Sequence, residues 1–539
     1  MHIHSAASRS LSTLALVLTA LSCISAAVAQ PSAAPSGAPA AAAAPTAIVT
    51  VCADVWPESF DPAEAQVGPQ TVLANLNEPL VRLMENKYVA DEAIGLTSRI
   101  GVSEDGCTWQ ITLKAGLLFS DGSPLDAKAV AFSLSRLFSP DHPARPRIPA
   151  IPLSGRRVLK AVTAPKQDLV VIQLNEAWAP MWTVLSSLQS APVSPASFKN
   201  GKLAGAPIGC GPYVLSKQGP GRRLELVPNT RFNRQRPRLD RLDVVCCPRG
   251  STRLLWIMGG RGDVVEGLAK RDLDDLAARP EFRVEQPVAG LGLVTLYINP
   301  QITPFQSNIV REALIRGLPD EVLSRHLFDG QCLMFRDFFP PWRWNWVMKG
   351  ALKKYGTDAI AARKLLEMGN VDRSGTAFVL WAVPPAGTDP RSLTRLLEEL
   401  RISLAELNVS CLTDVVAQDR LATRLASGAP PAAVLLWADP TTLDPDELVS
   451  LALDRANPLS KFAGFAVDEV QSMIADARRK DTQSAREFLY TELETRLARD
   501  LSVISLAAPL RTLAWTQRVA GLKVGPDGVA LLEDLRIGP

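Results

Sequence analysis

The residues best suited to contact a ligand follow a short apolar run late in the chain, AVLLWAD. Trp437 offers an aromatic wall, and Asp439, two residues further on, offers a carboxylate. Ligand sites combine a cleft with aromatic walls and a few polar anchors, so this pair predicts ligand contact. Asp439 is equally suited to cap a helix. Asp444 is a second acidic candidate, although its place before Pro445 favours a helix or turn start.

A second aromatic group lies in the segment PPWRWNW, where tryptophans occupy alternate positions. If this segment is extended, Trp342, Trp344 and Trp346 share one face and could line a pocket. The alternative, which we favour, is a surface loop that buries these tryptophans in its own domain.

Few residues of the chain are suited to catalysis. Once an N-terminal signal is removed, the histidines are His142 and His326, and neither lies in a recognisable catalytic arrangement. The sequence contains no H-E-x-x-H, G-x-S-x-G or phosphate-binding P-loop pattern. We therefore predict no catalytic residue, metal or cofactor, and we expect a binding protein rather than an enzyme.

The cysteines give no sign of a metal or redox site. Seven remain beyond Cys23, an odd number that leaves at least one thiol without a partner in the chain, and none forms a C-x-x-C pair. Adjacent Cys246 and Cys247 end the apolar run DVVCC, which indicates strand residues rather than metal ligands.

The N-terminus has the features of an export signal. The apolar run from Leu14 to Leu21 is too short to span a bilayer, and Ala27-Val28-Ala29 offers small residues for cleavage. We expect a signal peptide over residues 1–29, a low-complexity linker over 30–47 and a periplasmic location. Lipid anchoring at Cys23 is the less favoured alternative.

Composition limits the partners of the protein. The formal net charge is +3 over 539 residues, which gives no electrostatic argument for nucleic-acid binding. No later segment offers about 18 uninterrupted apolar residues, so no transmembrane helix is predicted. A role in transport would therefore require another polypeptide to form the pore.

The clearest structural pattern lies between Gly101 and Phe138. Apolar residues alternate with polar ones from Trp109 to Leu113, which predicts a half-buried strand. After an Asp-Gly turn, Ser123 is predicted to cap a helix, with Pro124 at the first helical position and Asp126 in a capping-box arrangement. The face of this helix consists of apolar residues at helical spacing: Ala127, Val130, Leu134 and Leu137.

Other patterns predict alternating strands and helices along the chain. Strands are expected at IVTVCA, DLVVIQLN, RLELVPN and VTLYIN. The segment TVLANLNEPLVRLME has helical spacing at Leu73, Leu76, Leu80 and Leu83. Together these elements indicate an α/β protein.

The segment from 101 to 138 resembles the signature of the family 5 extracellular solute-binding proteins, the peptide- and nickel-type receptors of ABC importers. Its residues match D-G-x-T-W-x-x-x-L-K-x-G-x-x-F-S-D-G-x-P-L. The G-C-G-P-Y at 209–213 is similar to the family's G-T-G-P-Y, and AVLLWADPTTLDPDELVS is similar to its G-W-x-x-D-x-x-D-P stretch. Further markers follow in family order from about residue 48 to the end.

The resemblance implies a periplasmic-binding-protein-like fold with two lobes, a hinge and an extra accessory domain. Lobe I would comprise residues 48–88, 207–290 and 510–539. The accessory domain would comprise residues 89–206, and lobe II residues 291–509.

The resemblance also implies a function. The protein would capture a small solute, peptide-like or related, and deliver it as a monomer to the permease subunits of an ABC importer. Gln66 and Val67 lie where relatives touch ligand, and Asp439 stands near the position of an aspartate that pairs with a peptide's α-amino group. A periplasmic sensor or chaperone-like binder on the same fold remains an alternative, and a hydrolase is the least favoured one.

Overall fold

The computed structural model describes most of the chain after the linker. The described residues are 47–57, 59–64, 70–82, 95–139, 141–144, 158–285, 288–290, 292–341, 356–371, 376–385, 388, 390–428, 430–438, 440, 442, 444–480, 482–525 and 528–538.

The strands of this part of the chain form several sheets. In chain order they are β1 (Ile48–Ala53), β2 (Thr97–Val102), β3 (Thr108–Leu113), β4 (Leu159–Lys166), β5 (Leu169–Leu174), β6 (Phe198–Lys199), β7 (Lys202–Leu203), β8 (Tyr213–Gly219), β9 (Arg223–Pro228), β10 (Arg241–Cys246), β11 (Val264–Glu266), β12 (Phe282–Val284), β13 (Val288–Ala289), β14 (Leu293–Ile298), β15 (Cys332–Asp337), β16 (Thr376–Val383), β17 (Val409–Val415), β18 (Ala433–Ala438), β19 (Val503–Arg511), β20 (Leu513–Thr516), β21 (Val519–Ala520), β22 (Lys523–Val524), β23 (Ala530–Leu531) and β24 (Arg536–Ile537).

Helices alternate with these strands. In chain order they are α1 (Gln70–Leu76), α2 (Ala127–Phe138), α3 (Met181–Ser186), α4 (Gly250–Met258), α5 (Lys270–Ala277), α6 (Asn308–Gly317), α7 (Asp320–His326), α8 (Ala359–Met368), α9 (Pro390–Ala405), α10 (Gln418–Ala426), α11 (Pro445–Ala452), α12 (Pro458–Phe462), α13 (Asp468–Arg479) and α14 (Gln483–Asp500).

Three sheets organise the molecule, and we name them A, B and C. Sheet A has the strand order β12-β20-β11-β1-β10-β9-β8, and sheet B the order β13-β19-β14-β18-β16-β17 with β15 on β19. Sheet C has the order β2-β3-β5-β4. Strands β1, β10 and β11 of sheet A are parallel, as are β16, β17 and β18 of sheet B. This mixture of parallel strands and helices confirms the α/β class.

The chain passes between sheets A and B at two places. Strand β12 ends at Val284 in sheet A, and β13 starts at Val288 in sheet B. The return passage is shorter, because Thr512 alone separates β19 in sheet B from β20 in sheet A. Thr512 is held by a hydrogen bond of 3.1 Å from its Oγ1 to the carbonyl oxygen of Leu268.

Each sheet packs against apolar clusters, and sheet A contributes residues to two of them. Residues of sheet B lie in two of them, one on each face, because its central strands are buried on both sides. Sheet C packs α2 and α3 around Trp109 and Ile111, and sheet A packs α1 around Val49 and Val51. The prediction that Trp109, Ile111 and Leu113 face inward is confirmed, since all are buried in β3.

The predicted start of helix α2 is wrong by three residues. Ser123 is not the N-cap, because its backbone N–H and its hydroxyl both donate to Asp121, at 2.9 and 2.6 Å. Pro124 instead forms a short bridge with Leu118, so the chain stays extended beyond it. Asp126 caps the helix by accepting a hydrogen bond of 3.0 Å from the N–H of Ala129.

Helix α1 is shorter than the apolar spacing predicts. It ends at Leu76, although Leu80 lies at helical spacing. Pro79 disfavours the helical conformation of the residue before it, so the chain leaves the helix ahead of Glu78. Leu80 is still buried, through packing outside the helix.

The glycines of the G-C-G-P-Y segment permit a close approach of two backbones. The N–H of Gly211 donates to the carbonyl oxygen of Leu76 at 3.0 Å. A Cβ on Gly211 would lie 2.5 Å from the backbone nitrogen of Asn77, and a Cβ on Gly209 would lie 2.4 Å from the Leu76 oxygen. Both positions therefore require glycine.

Candidate ligand-binding site

Two carboxylates meet at the carboxyl-terminal edge of sheet A. Asp54 directly follows β1, and Glu266 ends the neighbouring parallel strand β11, where Cys52 is paired with Val265. Parallel strands present their carboxyl ends at a single edge, and ligands of open α/β sheets bind there. The two acidic side chains therefore lie at the edge where open α/β sheets generally bind ligands.

The environment of Glu266 favours its protonated form. Burial and the nearby charge of Asp54 raise its pKa from 4.5 to about 7, and they outweigh the guanidinium groups of Arg511 and Arg253. The hydroxyl of Thr71 in α1 donates to its Oε1 at 2.5 Å, which favours the carboxylate but does not reverse the shift. Near neutral pH this carboxyl group can therefore hold or release a proton.

The glycine after Glu266 makes room for Asp54. Gly267 has a φ of +66°, and a Cβ on it would lie 2.7 Å from Asp54 Oδ2. The carbonyl oxygen of Gly267 accepts a hydrogen bond of 2.5 Å from Arg253, whose guanidinium also donates to the carbonyl oxygens of Cys247 and Pro248. The buried arginine thus fixes the turn that brings both carboxylates together.

A small cavity of about 30 Å³ opens between these carboxylates and the passage from β19 to β20. Its polar lining includes Asp54, Thr71, Glu266, Arg511 and Thr512. Among the described residues, neither the Asp54 carboxylate nor the Arg511 guanidinium forms a side-chain hydrogen bond. The volume suits a water molecule or one polar group of a larger solute.

Trp437 is the penultimate residue of strand β18 and packs inside the protein. Its side chain is 7% exposed and belongs to an apolar cluster of sheet B. Its backbone is paired with Val294 of β14, and its carbonyl oxygen accepts a hydrogen bond of 2.9 Å from Gln418 Nε2. The described contacts of Trp437 are therefore those of a packed side chain at the carboxyl end of a parallel strand.

The other predicted site residues, Gln66, Val67, Trp342, Trp344 and Asp439, lie outside the described residues. Their ligand contacts remain predictions.

The carboxylate of Asp444 is already engaged. It caps α11 by accepting from the N–H of Asp446 at 2.9 Å, and it receives both terminal nitrogens of Arg486, at 2.6 and 3.0 Å. The expectation that its place before Pro445 marks a helix start is confirmed. A ligand ammonium would have to displace Arg486, so Asp444 is a structural residue.

The histidines and cysteines lie in ordinary structural settings. His326 ends α7, and its Nε2 lies 2.8 Å from Glu399 Oε1. Burial and the nearby charge of Arg136 lower the pKa of His142. Burial raises the pKa of Cys52 and of Cys210 to about 12, which keeps both as thiols. Within the described residues, no three histidine, cysteine or acidic side chains are grouped as metal ligands would be.

No helix in the described part of the chain is both long and apolar enough to cross a membrane.

The sequence profile of the bacterial extracellular solute-binding proteins, family 5 (middle part), matches residues 94–458. This span covers more than half of the chain. The chain belongs to this family. Members of this family are periplasmic or extracellular solute-binding proteins, so the predicted family is confirmed.

Curated relatives of this family 5 protein include a probable di/tripeptide-binding protein 5 from Pseudomonas aeruginosa, 25% identical over 503 residues that span 89% of this chain and 94% of the relative. Another is the heme-binding protein A of Haemophilus influenzae, 24% identical over 500 residues that span 88% of this chain and 90% of the relative. Both matches extend over nearly the whole chain.

A solved structure confirms the fold. The dipeptide-binding protein from Pseudoalteromonas sp. SM9913, in complex with Met-Leu, has a TM-score of 0.70 and 22% identity, and the match covers 91% of this chain and 100% of that chain. The protein therefore has the multi-domain α/β fold of the periplasmic binding proteins.

Sequence reasoning did not find Asp54, Glu266, Thr71 and Arg511. The usable signals were a charged residue directly after a buried strand, as in Asp54, and one ending the strand VVE, as in Glu266. Their meeting depends on strand order, because more than two hundred residues of chain separate β1 from β11.

Proposed function

We propose that this family 5 protein is the extracytoplasmic substrate-binding receptor of an ABC importer. It captures a small solute, peptide-like or related, between two lobes and delivers it to a membrane permease. Family membership and the near-complete overlap with curated peptide- and heme-binding relatives support this function. It acts by binding rather than catalysis, as a monomer in the periplasm after removal of residues 1–29.

The proposed lobes follow the sheets. Lobe I, residues 48–88, 207–290 and 510–539, contains all of sheet A. Lobe II, residues 291–509, contains most of sheet B, whereas β13 and the last two residues of β19 fall in the lobe I ranges. The accessory domain, residues 89–206, surrounds sheet C. All strands of sheets A and C fall within these ranges, which supports the assignment.

The observation that carries the proposal is the double passage between sheets A and B. Two short connections, one between β12 and β13 and the other at Thr512, are the geometry of a hinge. The cavity beside Asp54 and Glu266 adjoins the second connection, because Arg511 and Thr512 line it. A solute that places a hydrogen-bond donor there contacts lobe I next to the hinge.

Thermal-shift screening of the full chain tests this function against a panel of dipeptides, tripeptides, opines, sugars, heme and metal chelates. A solute present at a hundred times its dissociation constant stabilises the folded protein by about 2.7 kcal/mol, because it binds only that state. We expect a saturable rise in the unfolding midpoint with one chemical class. A flat response across the panel, repeated after removal of co-purified solute, would argue against a solute receptor.

A further inference from the structure

Helix α3 contacts elements of both proposed lobes. On one side, its Leu185 carbonyl oxygen accepts a hydrogen bond of 3.2 Å from the N–H of Val81, in the segment after α1. Val81, Met181 and Leu185 share one apolar cluster, so α3 is packed firmly against this part of the chain. Its other side faces helices that pack on sheet B.

Two hydrogen bonds join the α3 region to those helices. The N–H of Ala179 donates to the carbonyl oxygen of Arg478 at 2.7 Å. The hydroxyl of Thr183 lies 3.2 Å from Asp444 Oδ2 and 2.9 Å from the carbonyl oxygen of Pro180, three residues earlier. Its single hydrogen is therefore shared between these two acceptors. Thr183 and Asp444 are 1% and 2% exposed, so their contact is shielded from bulk solvent.

The lobe II side of this contact is fixed by ion pairs. Arg486 holds Asp444 through two hydrogen bonds. Arg478 donates to Asp446 at 2.6 Å and to Asp454 at 2.8 Å. The carbonyl oxygen of Arg478 lies in the last turn of α13, where carbonyls lack a donor from their own helix. Both acceptors therefore stand in place whether or not α3 is present.

The contact between the α3 region and the helices on sheet B consists of hydrogen bonds, whereas the side chains that flank it on both sides are apolar. Met181 and Leu185 belong to the cluster of sheet C, and Ala477 and Tyr490 belong to a cluster of sheet B. Separating two apolar cores would expose hydrocarbon, but separating these hydrogen bonds exchanges them for bonds to water at a small net cost. The contact is thus suited to form and break repeatedly.

We propose that Ala179 and Thr183 form a latch with Arg478 and Asp444 that stabilises the closed arrangement of the lobes. This inference rests on the proposed function, because it assumes that sheet B moves against sheet A about the hinge. Since α3 is packed against Val81 on the lobe I side, opening separates it from Asp444 and breaks both hydrogen bonds. The latch favours closure without touching the solute.

Hydrogen–deuterium exchange of the full chain, measured without solute and again with the strongest stabiliser from the thermal-shift panel, tests the latch, because the closed arrangement in which both hydrogen bonds form is more populated with solute. Thr183→Val removes the hydroxyl at nearly constant volume, Thr183→Ser retains it, and Ser186→Ala is the control on the same helix. Among the described residues, the Ser186 hydroxyl donates to the Thr183 carbonyl oxygen, at 2.9 Å. We expect Thr183→Val to raise exchange about fivefold in peptides 179–187 and 444–450, with β3 and β5 unchanged, and the other variants to match the wild type.

Two results would overturn the latch. One is a Thr183→Val variant that exchanges like the wild type in both peptides. The other is a variant with faster exchange throughout sheet C and a lowered unfolding midpoint, which would show that the hydroxyl only supports packing. Each is read against the wild type under the same condition, and the measurement without solute needs no ligand, so a failed thermal-shift screen and a failed latch are separate outcomes.

Discussion

At the scale of single residues, the pair Asp54 and Glu266 is the clearest chemical feature of the described structure. Each follows or ends a buried parallel strand, and the sequence shows each only as an acidic residue beside an apolar run. The raised pKa of Glu266 arises from burial and from the second carboxylate, neither of which is visible before the strands are paired. Such sites escape sequence reasoning because folding creates them.

Glu266→Gln should change the pH dependence of stability. In the wild type, folding holds a proton on Glu266 up to about pH 7, whereas the unfolded chain releases it near pH 4.5. The stability linked to this group is therefore fully present below pH 4.5 and is lost as the pH rises through 7. Glutamine stays neutral at every pH. The free energy of unfolding of the variant, taken relative to that of the wild type, should therefore be about 2 kcal/mol higher at pH 8 than at pH 5.

Thermal unfolding at pH 5 and pH 8 measures the effect. The unfolding midpoint of the variant, relative to that of the wild type, should be roughly 2 °C higher at pH 8 than at pH 5. Glu281→Gln, at an exposed glutamate, is the control. An offset between Glu266→Gln and the wild type that is the same at both pH values would contradict the assigned protonation.

At the scale of elements, apolar periodicity predicted the strands well. Strands β1, β3, β5, β9 and β14 lie where the alternating or apolar runs placed them. The ends of helices were harder, because they depend on competing local hydrogen bonds. Ser123 satisfies the sequence rule for an N-cap, but its N–H and hydroxyl donate to Asp121 instead. Asp126 is therefore the residue that caps the helix.

The two capping candidates can be separated by mutation. Asp126→Ala should lower the free energy of unfolding by about 1 kcal/mol, because the N–H of Ala129 loses its acceptor. Ser123→Ala should cost less than about half as much, since it removes a partly exposed turn contact. Chemical denaturation of both variants measures the difference, and a larger loss for Ser123→Ala would contradict the observed cap.

The G-C-G-P-Y segment allows a second comparison at this scale. Gly211→Ala should destabilise the protein by about 3 kcal/mol, because its Cβ would lie 2.5 Å from backbone atoms of Asn77 and Leu76. Gly101→Ala, where a Cβ would meet no atom within 4 Å, is the matched control. Equal denaturation midpoints for the two variants would show that the backbones do not need this close approach.

At the scale of the whole molecule, the order of weak markers predicted the family where no single motif could. Each marker is short and weak by itself. From residue 48 onward, however, the markers follow one another in the same order as in the family's sequences. The sequence could not locate the contact between α3 and the start of α11, because Thr183 and Asp444 are 261 positions apart and neither is unusual in its own segment. Relations between domains arise only from the assembled chain.

Small-angle X-ray scattering with and without a solute tests the central claim most directly. The solute is the strongest stabiliser from the thermal-shift panel, or the compound released on gentle denaturation and identified by mass spectrometry. If two lobes close about a hinge at Thr512, the radius of gyration should fall by roughly 1 Å or more, as in hinge closure around a ligand. A saturating solute that stabilises the protein but leaves the radius of gyration unchanged would contradict the two-lobe receptor.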